Sequence, residues 1–159
     1  ILQLNTAANQ VDNSNLDKLI GDMIDGAQRS YTKISTGAIQ ATATLTSTGS
    51  AVNNETALVA NVTITAKTSG AVAANGEFNI SGTVATQAAN IAAAINAVAA
   101  LSGKVTATSA LGVTTITAVQ PGVSGNGLQL SESLTNVTAV AFASGSDGSQ
   151  VAVNYGAAS

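Results

Sequence analysis

Histidine and cysteine are both absent from this 159-residue chain, and with them goes most of the chemistry by which small domains act. Without Cys there is no disulfide, no thiolate zinc site and no cysteine nucleophile. Without His, a Ser-His-Asp triad is impossible and the commonest general base is missing. The redox compartment stays open, because a Cys-free chain folds in either setting. Charge is scarce too: five basic and eight acidic residues make up 8% of the chain, where about 25% is ordinary. The cations Lys18, Arg29, Lys33, Lys67 and Lys104 are scattered, and the net charge is −3. Two Tyr and two Phe are the whole aromatic complement. Neither the basic patch nor the stacking platform that nucleic acid requires is present. Long hydrophobic runs are missing as well. The longest, around Ile91–Leu101, is Ala-rich and broken by Asn96, far short of a membrane-spanning helix.

What remains is Ser, Thr, Asn, Gln, Gly and Ala. A surface built from them is neutral, carries small side chains and costs little to desolvate. That suits close, static packing against neighbours, since burying an unpaired charge is expensive. The length fits one domain or one domain plus a terminal arm; residues 1–13, a short apolar alternation that turns polar, suit an arm or an edge strand, and 14–159 a single β-rich domain with two helices. The first residue, Ile1, fits either a removed initiator Met or an earlier cleavage.

Periodicity locates the elements. Leu16, Leu19, Ile20, Met23, Ile24 and Ala27 recur at helical spacing, with Ser14 and Asp17 as a capping-box-like start and Gly26 near the stop. From 38 to 49 the period becomes two, setting Ile39, Ala41, Ala43 and Leu45 against Gln40, Thr42, Thr44 and Thr46. A second alternating strand is expected at 61–70 through Val62, Ile64 and Ala66, and a short one carries Phe78 and Ile80. The spacing of Ala88, Ile91, Ala92, Ile95, Val98 and Ala99 predicts a helix over 86–103, with Thr86 as N-cap and Gly103 at its end. So many alanines imply a slim helix lying close on a sheet. Further strands are expected at 104–109, 112–119, 127–132, 137–143 and 150–155, with turns at 121–127 and 144–149. Thr63-Ile64-Thr65-Ala66 recurs as Thr115-Ile116-Thr117-Ala118, each followed by Gly and then Asn-Gly, an echo too short to imply a repeat fold.

No residue is nominated as catalytic, cofactor-binding or metal-ligating, and no cofactor is expected. Asp17, Asp22 and Asp25 read as a solvated helix edge. Glu55, Glu77, Glu132 and Asp147 are isolated in sequence. The loop SGSDGS (144–149) holds one carboxylate, where a calcium site gathers several oxygen ligands, and reads as a β-turn. GVSGNG (122–127) lacks both the Lys of a P-loop and the glycine spacing of a dinucleotide loop. The Asn-X-Ser/Thr sequons at Asn54, Asn61, Asn79 and Asn136 are what an Asn-, Ser- and Thr-rich composition produces by chance.

The segments IAAAINAV (91–98), KVTATSALGVTTITAVQPGVSGNGLQLSES (104–133) and VAFASGSDGS (140–149) together resemble modules of tailed-phage structural proteins. In that pattern a helix ending AAAINA precedes two strands, a Pro-Gly loop-strand and a final strand with a Gly-rich turn. Residues 15–37 are similar to the starts of small phage structural proteins. A second resemblance is to the variable outer domains of bacterial flagellins, which carry a similar helix and strand pair. The long terminal helical segments of flagellin are not found here.

The resemblance implies a virion structural role, as head decoration, tail or fibre module. The expected fold is α+β, a mainly antiparallel β-sandwich or rolled sheet with an N-terminal helix and a central Ala-rich helix. The expected function is non-enzymatic: packing onto or within a phage capsid or tail, with capsid decoration or cement favoured over tail tube or fibre. The expected partners are copies of the chain in a homo-oligomer and other virion structural proteins, with no nucleic acid and no membrane. The alternative is a fibre- or adhesin-type binding module, or a subunit of an extracellular filament. For a sugar-binding module only Tyr31 and Tyr155 are obvious aromatic candidates.

Overall fold

Alternation of small apolar residues with Thr is the pattern of a strand buried on one face, and it recurs through most of the chain. The computed structural model describes residues 32–153. In chain order these form β1 (Thr32–Thr36), β2 (Gln40–Ser47), β3 (Thr56–Val59), β4 (Val62–Lys67), β5 (Glu77–Asn79), α1 (Val84–Ala97), β6 (Val105–Ala110), β7 (Val113–Pro121), β8 (Leu130–Glu132), β9 (Val137–Ala143) and β10 (Ser149–Val153). The arm at 1–13 and the helix expected from Ser14 to Gly26 lie outside the described residues.

The chain divides into two units. One is contiguous, Gly37–Gly148; the other is formed by the flanking segments Ile1–Thr36 and Ser149–Ser159. In the flanking unit β1 and β10 pair antiparallel, from Thr32↔Val153 to Thr36↔Ser149. The contiguous unit holds two four-stranded sheets, ordered β6-β7-β2-β9 and β5-β4-β3-β8. Every described pairing is antiparallel except β4 with β5. The fold is α+β with a sheet-rich core, as the periodicity predicts.

Strand alternation converts directly into burial. Ala41, Ala43 and Leu45 of β2 and Ile116 and Ala118 of β7 turn inward, while the intervening threonines face out. Ile64 and Ala66 of β4, Ala57 and Val59 of β3 and Phe78 of β5 join the same core from the second sheet. Ile91, Ala92, Ala94 and Ile95 of α1 complete it. Burying each large aliphatic or aromatic side chain contributes about 1.5–3 kcal/mol, and the alanines between them let helix and sheet approach. Thr114 and Ser47 are the polar residues on the inner face of this sheet; the buried Thr114 hydroxyl donates to Ala88 O at 2.9 Å.

Several boundaries differ from the periodicity, each for a local reason. The helix begins at Val84 with Thr83, not Thr86, as N-cap, and Gln87 N donates to Thr83 O. It stops at Ala97 because Val98 is extended (ψ 117°). That break drops Val98 and Leu101 into the core through a short 3-10 turn at Ala99–Leu101 and leaves Ala99 exposed. Ile39 shares the alternation of β2 but lies before the strand and is 56% exposed. The short strand β3 has no counterpart in the periodic reading. It closes onto β4 through Ala60-Asn61, both at positive φ (45° and 67°), a two-residue hairpin turn without its usual Asn-Gly signature. The strand expected from 127 begins only at Leu130, since Val123–Gly127 is spent in a 3-10 turn.

Strand β9 breaks its own alternation. Thr44 pairs with Val140 and Thr42 with Ala143, so β9 carries one extra residue. This β-bulge reverses the facing of the side chains beyond it. Ala139, before the bulge, pairs with Leu45, while Phe142, which strict alternation would send outward, is buried.

Ile39 and Ile116 occupy equivalent steps in their alternations but opposite environments. Ile116→Ala is expected to cost about 2–5 kcal/mol, as core truncations do. Ile39→Ala is expected to stay within about 0.5 kcal/mol. Urea unfolding of both variants measures the difference.

Candidate functional site

Most of the polar side chains with hydrogen bonds in the contiguous unit are bound to backbone. Asn126 Nδ2 donates to Gly145 O at 3.0 Å, and Gly145 N donates back to Asn126 Oδ1 at 2.8 Å. Asp147 Oδ1 accepts from Val123 N at 2.9 Å. Ile39 N donates to Ser146 O, and Ser146 N and Gly122 N both donate to Ile39 O. The two loops that read separately as turns, 121–127 and 144–149, are thus clasped together beside the ends of the unit. Gly125 and Gly145 permit the approach. A Cβ on Gly125 would sit 2.8 Å from Ala41 Cβ, and one on Gly145 would sit 2.4 Å from Gly122 O.

Other amides act alike. The fully buried Gln87 accepts from Ala51 N and donates to Gly49 O, tying α1 to the 49–51 loop. Asn96 donates to Ala107 O at 2.7 Å and accepts from Ala107 N at 2.8 Å, so the helix fills backbone positions on the outer edge of β6. Asn136 Nδ2 donates to Ser50 O. Among the described residues, one buried side-chain polar atom, Ser47 Oγ, has no hydrogen-bond partner.

The carboxylates that read as isolated in sequence each hold backbone N–H groups, and Glu55 and Glu132 accept from the adjacent amides of Thr135 and Leu134. Glu55 Oε2 accepts from Val52 N and Thr135 N, and its Oε1 accepts from the Thr135 hydroxyl. The Thr135 hydroxyl holds the Glu55 pKa below its ordinary value near 4.5; burial opposes this, and the Val52 and Thr135 amides add to it. Glu77 accepts from Val72 N and lies 3.7 Å from Lys67 Nζ. Glu132 accepts from Leu134 N. Among the described residues no three His, Cys, Asp or Glu side chains gather where they could hold a metal ion, and no helix is long and apolar enough to cross a membrane. Three sequon residues, Asn54, Asn61 and Asn136, have positive φ, a backbone conformation that Asn tolerates better than most residues. Asp17, Asp22, Asp25, Tyr31 and Tyr155 lie outside the described residues.

The most distinctive surface is the outward face of the β6-β7-β2-β9 sheet. In register across it run Thr108, Thr115 and Thr44, and beside them Thr106, Thr117 and Thr42. Thr42, Thr106 and Thr108 are exposed, and the more central Thr44, Thr115 and Thr117 are half-buried. No Asp, Glu, Lys or Arg occurs in any of its four strands. The other sheet, by contrast, carries Lys67, Glu77 and Glu132. The Thr-X-Thr spacing of this face is visible in the sequence; its assembly into one surface depends on strand order, which spacing does not reveal. Neither a protein-family model nor a curated protein matches the chain.

Asn126→Ala strands both Gly145 backbone groups and is expected to lower stability by about 1–3 kcal/mol, read from the urea midpoint. Glu55 gives a pH signature. Because its folded pKa is lowered, its stabilisation is present above pH 4.5 and is lost as pH falls through the folded value. Wild type is therefore expected to exceed Glu55→Gln in urea midpoint at pH 7, with the gap closing under acid.

Proposed function

We propose that the chain is a non-enzymatic structural subunit of a larger particle, a phage virion being the particle favoured by its resemblances, with capsid decoration or cement ahead of tail tube or fibre. The observation that carries this reading is where its polar groups are spent. Asn96, Gln87, Asn126, Asn136 and Glu55 all hold backbone, and the charge-free face of one sheet is suited to packing at low desolvation cost. The absence of His and Cys from the sequence agrees with it.

The division into two units is compatible with the virion reading and with the filament-subunit alternative alike. The contiguous unit Gly37–Gly148 interrupts the flanking unit, whose strands β1 and β10 pair with each other. A particle-forming part bearing an inserted domain is a natural division of labour in either kind of assembly. The flanking segments 1–13 and 150–159 are then the contact arms, since terminal strands can add to a neighbour's sheet edge.

Light scattering of the full chain across concentration tests the proposal. Growth into a closed oligomer, rings or tubes is expected, and deletion of residues 1–10 is expected to reduce that growth while leaving the far-UV spectrum and melting unchanged. A full chain that stays monomeric and does not bind purified particles overturns the structural reading. Assembly undiminished by the deletion removes the arm from it.

A further inference from the structure

A lysine amine and a carboxamide are ordinarily inert toward each other, because the amine is protonated and an amide is a poor acyl donor. Held in place beside a carboxylate that carries protons, the same two groups can exchange one amide for another. Among the described residues one place brings these three groups together. Lys67 Nζ, at the end of β4, donates to Asn54 Oδ1 at 3.0 Å and lies 3.7 Å from Glu77 Oε1.

Backbone holds each partner in position. Asn53 Oδ1 accepts from Thr68 N, Asn54 N donates to Ala66 O, and Glu55 O accepts from Ala66 N. The loop before β3 is thus fastened along β4 on both sides of Asn54. Glu77 is set opposite Thr65 by the β4-β5 ladder. Its Oε2 accepts from Val72 N at 3.0 Å, which leaves Oε1 toward the amine. The Lys67 and Glu77 side chains are half-buried, while Asn54 is exposed.

We propose that Lys67 and Asn54 join in an intramolecular isopeptide bond, with Glu77 as the proton carrier. Glu77 takes a proton from the Lys67 ammonium, and the freed Nζ lone pair attacks Asn54 Cγ. Glu77 passes a proton to Nδ2, the Cγ–Nδ2 bond breaks, and ammonia leaves to the water beside Asn54. Nζ gives up two protons in all, and both end on the departing nitrogen as ammonium. The net exchange turns an ammonium and a carboxamide into a secondary amide and free ammonium. It needs no oxidant, metal or co-reactant. The bond closes a ring over residues 54–67 and ties the loop before β3 to the end of β4. Such a link stabilises by removing conformations from the unfolded chain, as a disulfide does. With no Cys in the sequence, a disulfide is not open to this chain. The inference holds whether or not the chain builds a particle.

Intact-mass spectrometry of the full-length chain, with tandem sequencing of its proteolytic peptides, tests the bond. The chain is incubated at mildly alkaline pH, where more of a lysine amine is neutral. Wild type is expected to become lighter by one ammonia and to yield one branched peptide joining residues 54 and 67. Lys67→Arg keeps the charge and the hydrogen-bond donors, and is expected to retain full mass. Glu77→Gln can still accept from Val72 N. It is expected to form the bond about a hundredfold more slowly, the lower end of what one general acid–base group contributes. Melting curves verify that both variants are folded, and the branched peptide of wild type stands alone if they are not. Ammonia is also lost when an Asn-Gly pair, 75–76 or 126–127, closes to a succinimide, but that loss persists in Lys67→Arg and gives no branched peptide. Wild type that keeps its full mass, or loses ammonia without a branched peptide, overturns the inference. A bond that forms equally fast in Glu77→Gln removes the proton carrier from it.

Discussion

Two small sheets and a helix leave many backbone donors and acceptors that no ladder reaches, and in this protein side-chain amides satisfy them. Asn96 completes Ala107 on a sheet edge, Gln87 bridges α1 to the 49–51 loop, and Asn126 fastens one loop to another. An amide both donates and accepts, so one side chain can pair both backbone groups of a residue. It does so without the desolvation cost of an ion. A chain with so few charges uses a neutral amide for most of these polar tasks, and its carboxylates Glu55, Glu77, Glu132 and Asp147 also hold backbone N–H groups.

The same economy shapes the core. Its walls alternate alanine with a few large residues: Leu45, Ile64, Phe78, Ile91, Ile95 and Ile116. Small neighbours bring the helix close enough for Thr114 to reach Ala88 O, and they let Gly125 lie against Ala41 and Ala118. Such close packing leaves little room for added volume, which makes the glycines of the clasp as constrained as the large core residues.

The proposed function draws on what these choices leave at the surface. The amides are committed to backbone, and a sheet face of threonines offers hydroxyls and methyls without charge. It is on this neutral face that the proposed packing role draws.

Much of the fold was legible in the sequence because one-sided burial writes itself as a period. The alternations at Ala41–Leu45 and Val62–Ala66 and the helical spacing of Ile91 and Ile95 each became the inward face expected. Composition by itself likewise determined the poverty of charge and the lack of thiol and imidazole chemistry. What period cannot encode was decided by tertiary structure. The bulge that turns Phe142 inward depends on how β9 meets β2, and the break at Val98 on where the core lies. The short strand β3 is held by partners on both sides rather than by its own pattern. The clasp of Asn126 on Gly145 and the merging of separate Thr-X-Thr segments into one face join residues distant in the chain. Those contacts belong to strand order, and only the folded chain sets that order.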